Sequence, residues 1–330
     1  MACNVVTGGA GFIGSCLVAG LERSGGEPTV VFDELGRGSK WRNLAKRELE
    51  ALLPPEALLP WLEEHASKVG RVFHLGAVSA TTETDVDLIL SQNFHLSTRL
   101  WEFCAARGIP FFYASSAATY GDGSQGFDDD WSPEALARLR PLNPYGWSKH
   151  LFDRWVSRRI SEGRPAPPSW AGLKFFNVYG PGENHKGEMR SVVSKVFDAL
   201  RDGRPVRLFR SHDPRYPDGG QCRDFVWVGD CVEVLLWLAA QPDRRGIFNV
   251  GTGRARSFLD FVKPVFEVLG RRLEIEFIDT PEGIREKYQY FTQAEIGRLR
   301  KAGYERPFLD VEEGVRRYVE EYLAAGDPHP

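Results

Sequence analysis

The feature that most constrains this chain is T-G-G-A-G-F-I-G, residues 7–14. It follows a short apolar β-prone run, C-N-V-V-T (3–7), and opens an amphipathic stretch reaching about Leu21. A strand that turns at once into a helix needs glycine where the backbone bends sharply and where helix and strand pack closely. The spacing Gly8-x-x-Gly11-x-x-Gly14 differs by one position from the common G-x-G-x-x-G turn, yet it meets the same demands and leaves backbone N–H groups bare for a pyrophosphate. The next apolar run, T-V-V-F-D (29–33), ends in Asp33, 19 residues beyond Gly14, where the ribose of a dinucleotide would find its partner. A carboxylate there accepts from ribose hydroxyls and repels a 2′-phosphate, which favours NAD. Arg37, Lys40 and Arg42 follow and can neutralise that phosphate, which favours NADP. The residues leave the two open.

Beyond this turn the chain keeps alternating. R-V-F-H-L-G-A (71–77) and P-F-F-Y-A-S-S (110–116) are apolar runs ending in small residues, and helix-like segments precede them, Leu88 to Arg107 among them. Strands alternating with helices predict a doubly wound parallel α/β sheet of the Rossmann type, and unbroken apolar runs predict strands covered on both faces. The expected organisation is a dinucleotide-binding domain over residues 1–175 and a smaller, mainly substrate-binding lobe over 176–330, with some segments returning to the first sheet. In that second part R-D-F-V-W-V-G-D precedes a helical stretch at 230–240, and I-F-N-V-G-T-G (247–253) and L-E-I-E-F-I (273–278) read as strands. T-Q-A-E-I-G-R-L-R-K-A-G-Y (292–304) reads as a helix with Thr292 as cap, Glu295 completing a capping box, and Gly303 ending it. The tail G-D-P-H-P is expected to fray.

The totals exclude several classes. A net charge of −3 with scattered arginines gives no nucleic-acid or membrane surface, and no apolar run approaches the ~20 residues of a membrane span. Five cysteines without a Cys-x-x-Cys pair argue against zinc and disulfides, and no metal is expected. The chain enters its first strand without a signal-like segment, so the expectation is a cytoplasmic protein. His74 and His95 stand in apolar contexts and read as core or packing residues, as do Trp101, Trp155 and Trp237.

The chemistry centres on N-P-Y-G-W-S-K. Tyr145 and Lys149 at i and i+4 share a helix face, where an ammonium lowers a phenol's pKa and makes it a usable general acid or base. Ser116, ending a predicted strand at the sheet's carboxyl edge, can fix a substrate hydroxyl near that phenol. One loop remains, N-V-Y-G-P-G-E-N-H-K-G (177–187). In it Lys186 is either a solvated surface lysine or a group with a chemical task, and His185 beside it can simply shape the loop.

The segments T-G-G-A-G-F-I-G, S-S-A-A-T-Y-G, P-Y-G-W-S-K and F-F-N-V-Y-G-P resemble those of extended short-chain dehydrogenase/reductases acting on nucleotide sugars, over nearly the whole chain. Within that group, Y-A-S-S-A-A-T-Y-G, G-E-N-H-K-G, G-I-F-N-V-G-T-G and Y-Q-Y-F-T-Q-A resemble the ADP-L-glycero-D-manno-heptose 6-epimerases. That resemblance implies a tightly held NADP, oxidation at C6 to a 6-keto sugar, and return of the hydride to the opposite face. It implies proton carriers on both faces, Tyr145 and Lys186, with Lys149 orienting the nicotinamide ribose and tuning Tyr145. Cofactor contacts are then expected from Gly8, Gly11, Phe12, Ile13 and Gly14; from Asp33, Glu34 and Lys40; and from Leu75, Gly76, Ala77, Asn93, Lys149, Val178 and Lys186. Substrate contacts are expected from Ser116, Asn177, Glu188, Lys195, Phe209, Ser211, Arg223 and Tyr288, with Arg223 pairing a diphosphate oxygen. The resemblance also implies a homo-oligomer and a role in supplying heptose for lipopolysaccharide or another surface glycan.

The chain departs from the family at Glu34, at Glu188, whose carboxylate suits a diphosphate poorly, and at Arg210-Ser211 in a longer segment; these bear on the nucleotide and sugar. A UDP-hexose 4-epimerase would share Ser116, Tyr145 and Lys149 but have no use for Lys186. A 4,6-dehydratase would need an Asp-Glu pair where Ala117 and Ala118 stand. A non-catalytic NADP sensor would have no reason to keep the tyrosine–lysine pair.

Overall fold

The computed structural model describes residues 2–281, Arg285 and 289–330. Its strands are β1 (Cys3–Thr7), β2 (Thr29–Phe32), β3 (Ala51–Leu53), β4 (Val69–His74), β5 (Phe111–Ser116), β6 (Trp170–Phe175), β7 (Asn177–Tyr179), β8 (Arg207–Phe209), β9 (Cys222–Arg223), β10 (Phe225–Trp227), β11 (Arg245–Val250), β12 (Arg256–Ser257) and β13 (Glu276–Ile278). Seven form one sheet in the order β3-β2-β1-β4-β5-β6-β11, every pair parallel. The strand order reverses between β1 and β4, and that is where a doubly wound sheet opens a crevice for a ligand.

Successive residues of each strand serve opposite layers. Val6, Val31, Phe73 and Phe112 pack in one core with the helices Phe12–Arg23, Val228–Ala239 and Phe258–Val268. Val5, Val30, Val72 and Phe111 pack in the other with Leu100, Trp101 and Phe152. Because both faces are covered, the strands carry no polar alternation. The run from Leu88 to Arg107 is helical, with Leu90–His95 wound wider than the turns beside it. In it Trp101 is buried but His95 is exposed, contrary to the packing role expected of that histidine.

I-F-N-V-G-T-G returns to the first sheet, where β11 pairs with β6. The segment after residue 176 adds three small pairs: β7 with β10, β8 with β13, and β9 with β12. The helix expected over 292–304 is shorter, Gly297–Lys301. Its proposed cap is engaged elsewhere: the Thr292 hydroxyl accepts from the Asp224 N–H (3.2 Å), and the Asp224 carboxylate takes the Ala294 N–H (2.9 Å). Asp224 also accepts from Thr252 and Gly253, so these bonds hold residues 292–294 against the loop after β11, out of the helix.

The tail is not frayed. The Pro328 carbonyl accepts from the Gly182 N–H (2.8 Å), His329 Nδ1 meets Asn43 Oδ1 (2.7 Å), and Lys46 Nζ reaches both the His329 carbonyl (2.9 Å) and Asp327 (2.6 Å). Among the described residues no helix is long and apolar enough to cross a membrane, and all five cysteines are free thiols.

Candidate active site

The glycine turn is built by close approach. Gly8 has φ +69°, and a Cβ there would stand 2.6 Å from the Gly76 backbone at the end of β4. A Cβ on Gly14 would lie 2.0 Å from the Gly8 carbonyl oxygen. The helix that follows, Phe12–Arg23, has Gly11 at its N-cap and no side-chain cap, so the first-turn N–H groups of Phe12, Ile13 and Gly14 face the crevice bare. These features suit a dinucleotide pyrophosphate. Asp33 first serves the turn itself: its carboxylate accepts from the Ala10 N–H and the Glu34 N–H, both at 2.7 Å. Lys40 Nζ pairs with the same carboxylate at 2.6 Å and donates to the Glu34 carbonyl at 2.8 Å, which puts a cation beside Asp33 at the end of β2.

Across the switch point, the turn after β4 is tied down by a chain of buried groups. The Gly76 N–H donates to Thr7 Oγ1 (3.1 Å), which meets His74 Nδ1 (2.7 Å); His74 Nε2 meets Ser97 Oγ (2.9 Å), which donates to the Asn93 carbonyl (2.7 Å). Burial, assisted by the Lys149 charge, lowers His74 to about 3 and keeps it neutral. The Asn93 side chain exchanges both amide bonds with the Val78 backbone (2.8 and 3.0 Å) and donates to Ser148 Oγ (3.0 Å). Asn93 therefore fixes Leu75, Gly76 and Ala77 relative to the helix that carries Tyr145.

That helix, Pro144–Ser161, begins where Asn143 caps it, its side chain accepting from the Gly146 N–H (2.8 Å), with Pro144 at the first position. Gly146 lets it approach the strand-end turn, because a Cβ there would stand 2.7 Å from the Ala118 carbonyl. The approach brings Tyr145 to Ser116. Burial raises the Tyr145 pKa, and the hydrogen bond with the Ser116 hydroxyl pulls it back. Lys149, 4% exposed, is lowered to about 8 by burial, partly offset by the Asp153 carboxylate.

The loop carrying Lys186 is pinned rather than loose. Buried Glu183 accepts from the Ser191 N–H and hydroxyl (both 2.5 Å) and from the Tyr318 hydroxyl (3.0 Å). Asn43, 1% exposed, donates to the Ala10 carbonyl of the glycine turn (3.0 Å) and to the Gly182 carbonyl (2.9 Å), and also approaches His185 Nδ1 (3.3 Å). The loop thus lies on the glycine turn, and Lys186 Nζ stands over the Phe12 ring, 5.4 Å from its centroid. Burial lowers the Lys186 pKa, and Glu183 partly restores it.

The remaining expected residues are spread over the second half. Asn177 is exposed, its Oδ1 3.4 Å from Thr292 Oγ1, and Val178 follows it on β7. Glu188 points outward and pairs with Lys195 (3.0 Å), its side chain 96% exposed. Ser211 closes a local turn with Asp213 (2.8 Å), and Phe209 ends β8. Arg223 is buried, donates to the carbonyls of Cys222 and Gln289, and lies over the Phe258 ring. Tyr288 lies outside the described residues. Among the described residues, no group of three or more His, Cys, Asp or Glu side chains is arranged to hold a metal ion. Asn43, Thr119, Asp153 and Lys174 were missed by sequence reasoning; only Asp153, one turn beyond Lys149 on the same helix, carried a local signal.

With this geometry in view, the profile of the NAD dependent epimerase/dehydratase family matches residues 4–251. The chain belongs to this family. A Nitratidesulfovibrio vulgaris protein named ADP-L-glycero-D-manno-heptose-6-epimerase is 49% identical over 98% of the chain and 99% of its own length. One of the same name from Fusobacterium nucleatum is 43% identical over the same shares. Among solved structures, the Helicobacter pylori ADP-L-glycero-D-manno-heptose-6-epimerase superposes with a TM-score of 0.80 at 27% identity, covering 97% of this chain and 96% of that one. The Thermus thermophilus UDP-glucose 4-epimerase complex with NAD superposes at 0.72 and 26% identity, covering 98% and 99%.

Proposed function

We propose that the chain interconverts the two C6 epimers of an ADP-glycero-manno-heptose, with NADP held at the glycine turn. The observation that carries this reading is the position of Lys186. It stands over Phe12 on the cofactor turn, its ammonium disfavoured by burial, on a loop separate from the Tyr145 helix. A bound nicotinamide supplies a reversible hydride acceptor and donor. Tyr145, whose pKa Ser116 lowers against burial, takes the proton from the C6 hydroxyl on one face, and the ammonium of Lys149, one turn on along the same helix, steadies the phenolate. Inversion needs a proton carrier on the second face, and Lys186 is an amine suited to that task. The names of the relatives at 49% and 43% identity support the heptose as substrate. Glu188 no longer argues against a diphosphate, since its carboxylate is turned outward onto Lys195. NADP is favoured over NAD because Lys40 neutralises Asp33 where a 2′-phosphate would lie.

The chain acts, on this reading, as a homo-oligomer in the cytoplasm, within the synthesis of lipopolysaccharide or a similar glycan. The test is to identify the nucleotide that co-purifies and then to assay ADP-heptose against UDP- and GDP-hexoses. The reading requires NADP and turnover of ADP-heptose alone; turnover of a UDP-hexose with none of ADP-heptose would replace it with a 4-epimerase.

A further inference from the structure

A second lysine lies behind the catalytic helix. Lys174 is on β6, with its side chain 1% exposed. A buried ammonium is costly unless it is paired and hydrogen-bonded, and an apolar side chain of similar length would fill the space at less cost. Its partners lead in two directions. Toward the strand end, Lys174 Nζ donates to Thr119 Oγ1 (2.9 Å), whose hydroxyl donates to the Ser116 carbonyl (2.8 Å). Toward the helix, Lys174 Nζ lies 3.5 Å from Asp153 Oδ2, and Asp153 stands one turn beyond Lys149 on the same face. Asp153 is fully buried and accepts from the Ser115 hydroxyl (2.7 Å) and the Tyr113 hydroxyl (3.0 Å).

We propose, resting on the catalytic roles given above to Tyr145, Lys149 and Ser116, that Lys174 is a positioning residue of the active site. Through Thr119 it holds the Ser116 turn, and by sharing Asp153 with Lys149 it limits how strongly that carboxylate favours the Lys149 ammonium. Two lysines face one carboxylate, so the buried trio carries a net positive charge when all three are ionised. Of the other groups packed around it, the histidines and tyrosines are neutral near pH 7, and the Asp129 carboxylate offsets part of the charge. His74 on β4 and His150 on the helix are lowered by burial, to about 3 and about 4, and are neutral. Tyr113 on β5 is raised by burial and stays a neutral donor, and the Tyr120 ring lies 4.4 Å from Lys174 Nζ. Asp129, raised to about 6 by burial, attracts Lys174 from the far side, and Arg140 and Arg154 act on His150. Lys149 is lowered to about 8 by burial, and the Asp153 carboxylate partly restores it. Removing the Lys174 charge leaves Asp153 wholly to Lys149.

The test reads Lys149 directly, without substrate. Lysines labelled at Cε are titrated by NMR, with Lys149 assigned from Lys149→Met. Lys174→Met should raise the Lys149 titration by about one pH unit, and Lys174→Arg should leave it near the native value. Lys174→Gln keeps a donor for Thr119 without the charge and carries the same upward shift should the methionine variant fail to fold. In turnover assays the alkaline limb should move up with the titration, whereas Thr119→Val should lower kcat without moving that limb. An unchanged Lys149 titration in a folded Lys174→Met or Lys174→Gln protein overturns the inference. If the native protein turns over no ADP-heptose, the functional reading fails, and the Lys149 titration still decides this one.

Discussion

Replacing Asn43 with alanine should destabilise the fold and the cofactor turn together. The buried side chain donates to the Ala10 and Gly182 carbonyls at 3.0 and 2.9 Å and accepts from His329 Nδ1 at 2.7 Å. At about 1 kcal/mol for each neutral hydrogen bond lost, the three amount to about 3 kcal/mol, lessened where water enters the gap. The Ala10 share falls on the glycine turn where the cofactor is proposed to bind, and about 1 kcal/mol there corresponds to roughly fivefold weaker binding. Asn43→Asp keeps the acceptor for His329 but turns a carboxylate toward the Ala10 and Gly182 carbonyls, so it should be the worse variant at neutral pH. The assay is urea denaturation of both variants beside the native chain, with calorimetric titration by NADP. Stability within about 0.5 kcal/mol of native and unchanged NADP affinity in Asn43→Ala would refute the clip, as would an aspartate variant more stable than the alanine one.

Other outcomes follow from the same geometry. Gly14→Ala puts a Cβ 2.0 Å from the Gly8 carbonyl oxygen, so the turn must open and dinucleotide binding should be lost; an ordinary affinity by calorimetry would refute that packing. Lys40→Ala should weaken NADP more than NAD, because Lys40 offsets the Asp33 carboxylate; equal losses would remove the 2′-phosphate contact. Tyr145→Phe should lower turnover by a hundredfold or more while cofactor binding persists, in keeping with the ~10²–10⁴-fold contribution of general acid–base catalysis. In the native enzyme turnover should fall as pH rises past about 8, where Lys149 loses its proton and with it the charge that steadies the phenolate. A rate that keeps rising to pH 10 would contradict this role of Lys149.

The legible parts of the chain were those whose signals are local. Gly8, Gly11 and Gly14 sit within seven residues, and their spacing between an apolar strand and an amphipathic stretch implied the turn that the Gly8–Gly76 approach explains. Tyr145 and Lys149, four residues apart, likewise implied one helix face carrying both side chains, and the helix Pro144–Ser161 carries them. What escaped depends on distant partners. Asn43 meets Gly182 and His329 across 139 and 286 residues, so neither the clip nor the docked tail has a local signature. Lys174 is one polar residue in an apolar strand, and its meaning appears only when β6 lies beside β5 and the helix supplies Asp153. The 292–304 segment obeyed the rules of a capping box, but the Asp224 carboxylate took the Ala294 N–H and the Asp224 N–H took the Thr292 hydroxyl that would have capped the helix.

The most direct test of epimerisation at C6 is to follow the native enzyme with ADP-D-glycero-D-manno-heptose in deuterated water by NMR. The account predicts growth of the L-glycero epimer without added nicotinamide, with the C6 hydrogen retained because it leaves and returns as hydride. No interconversion, or deuterium appearing at C6, would contradict it.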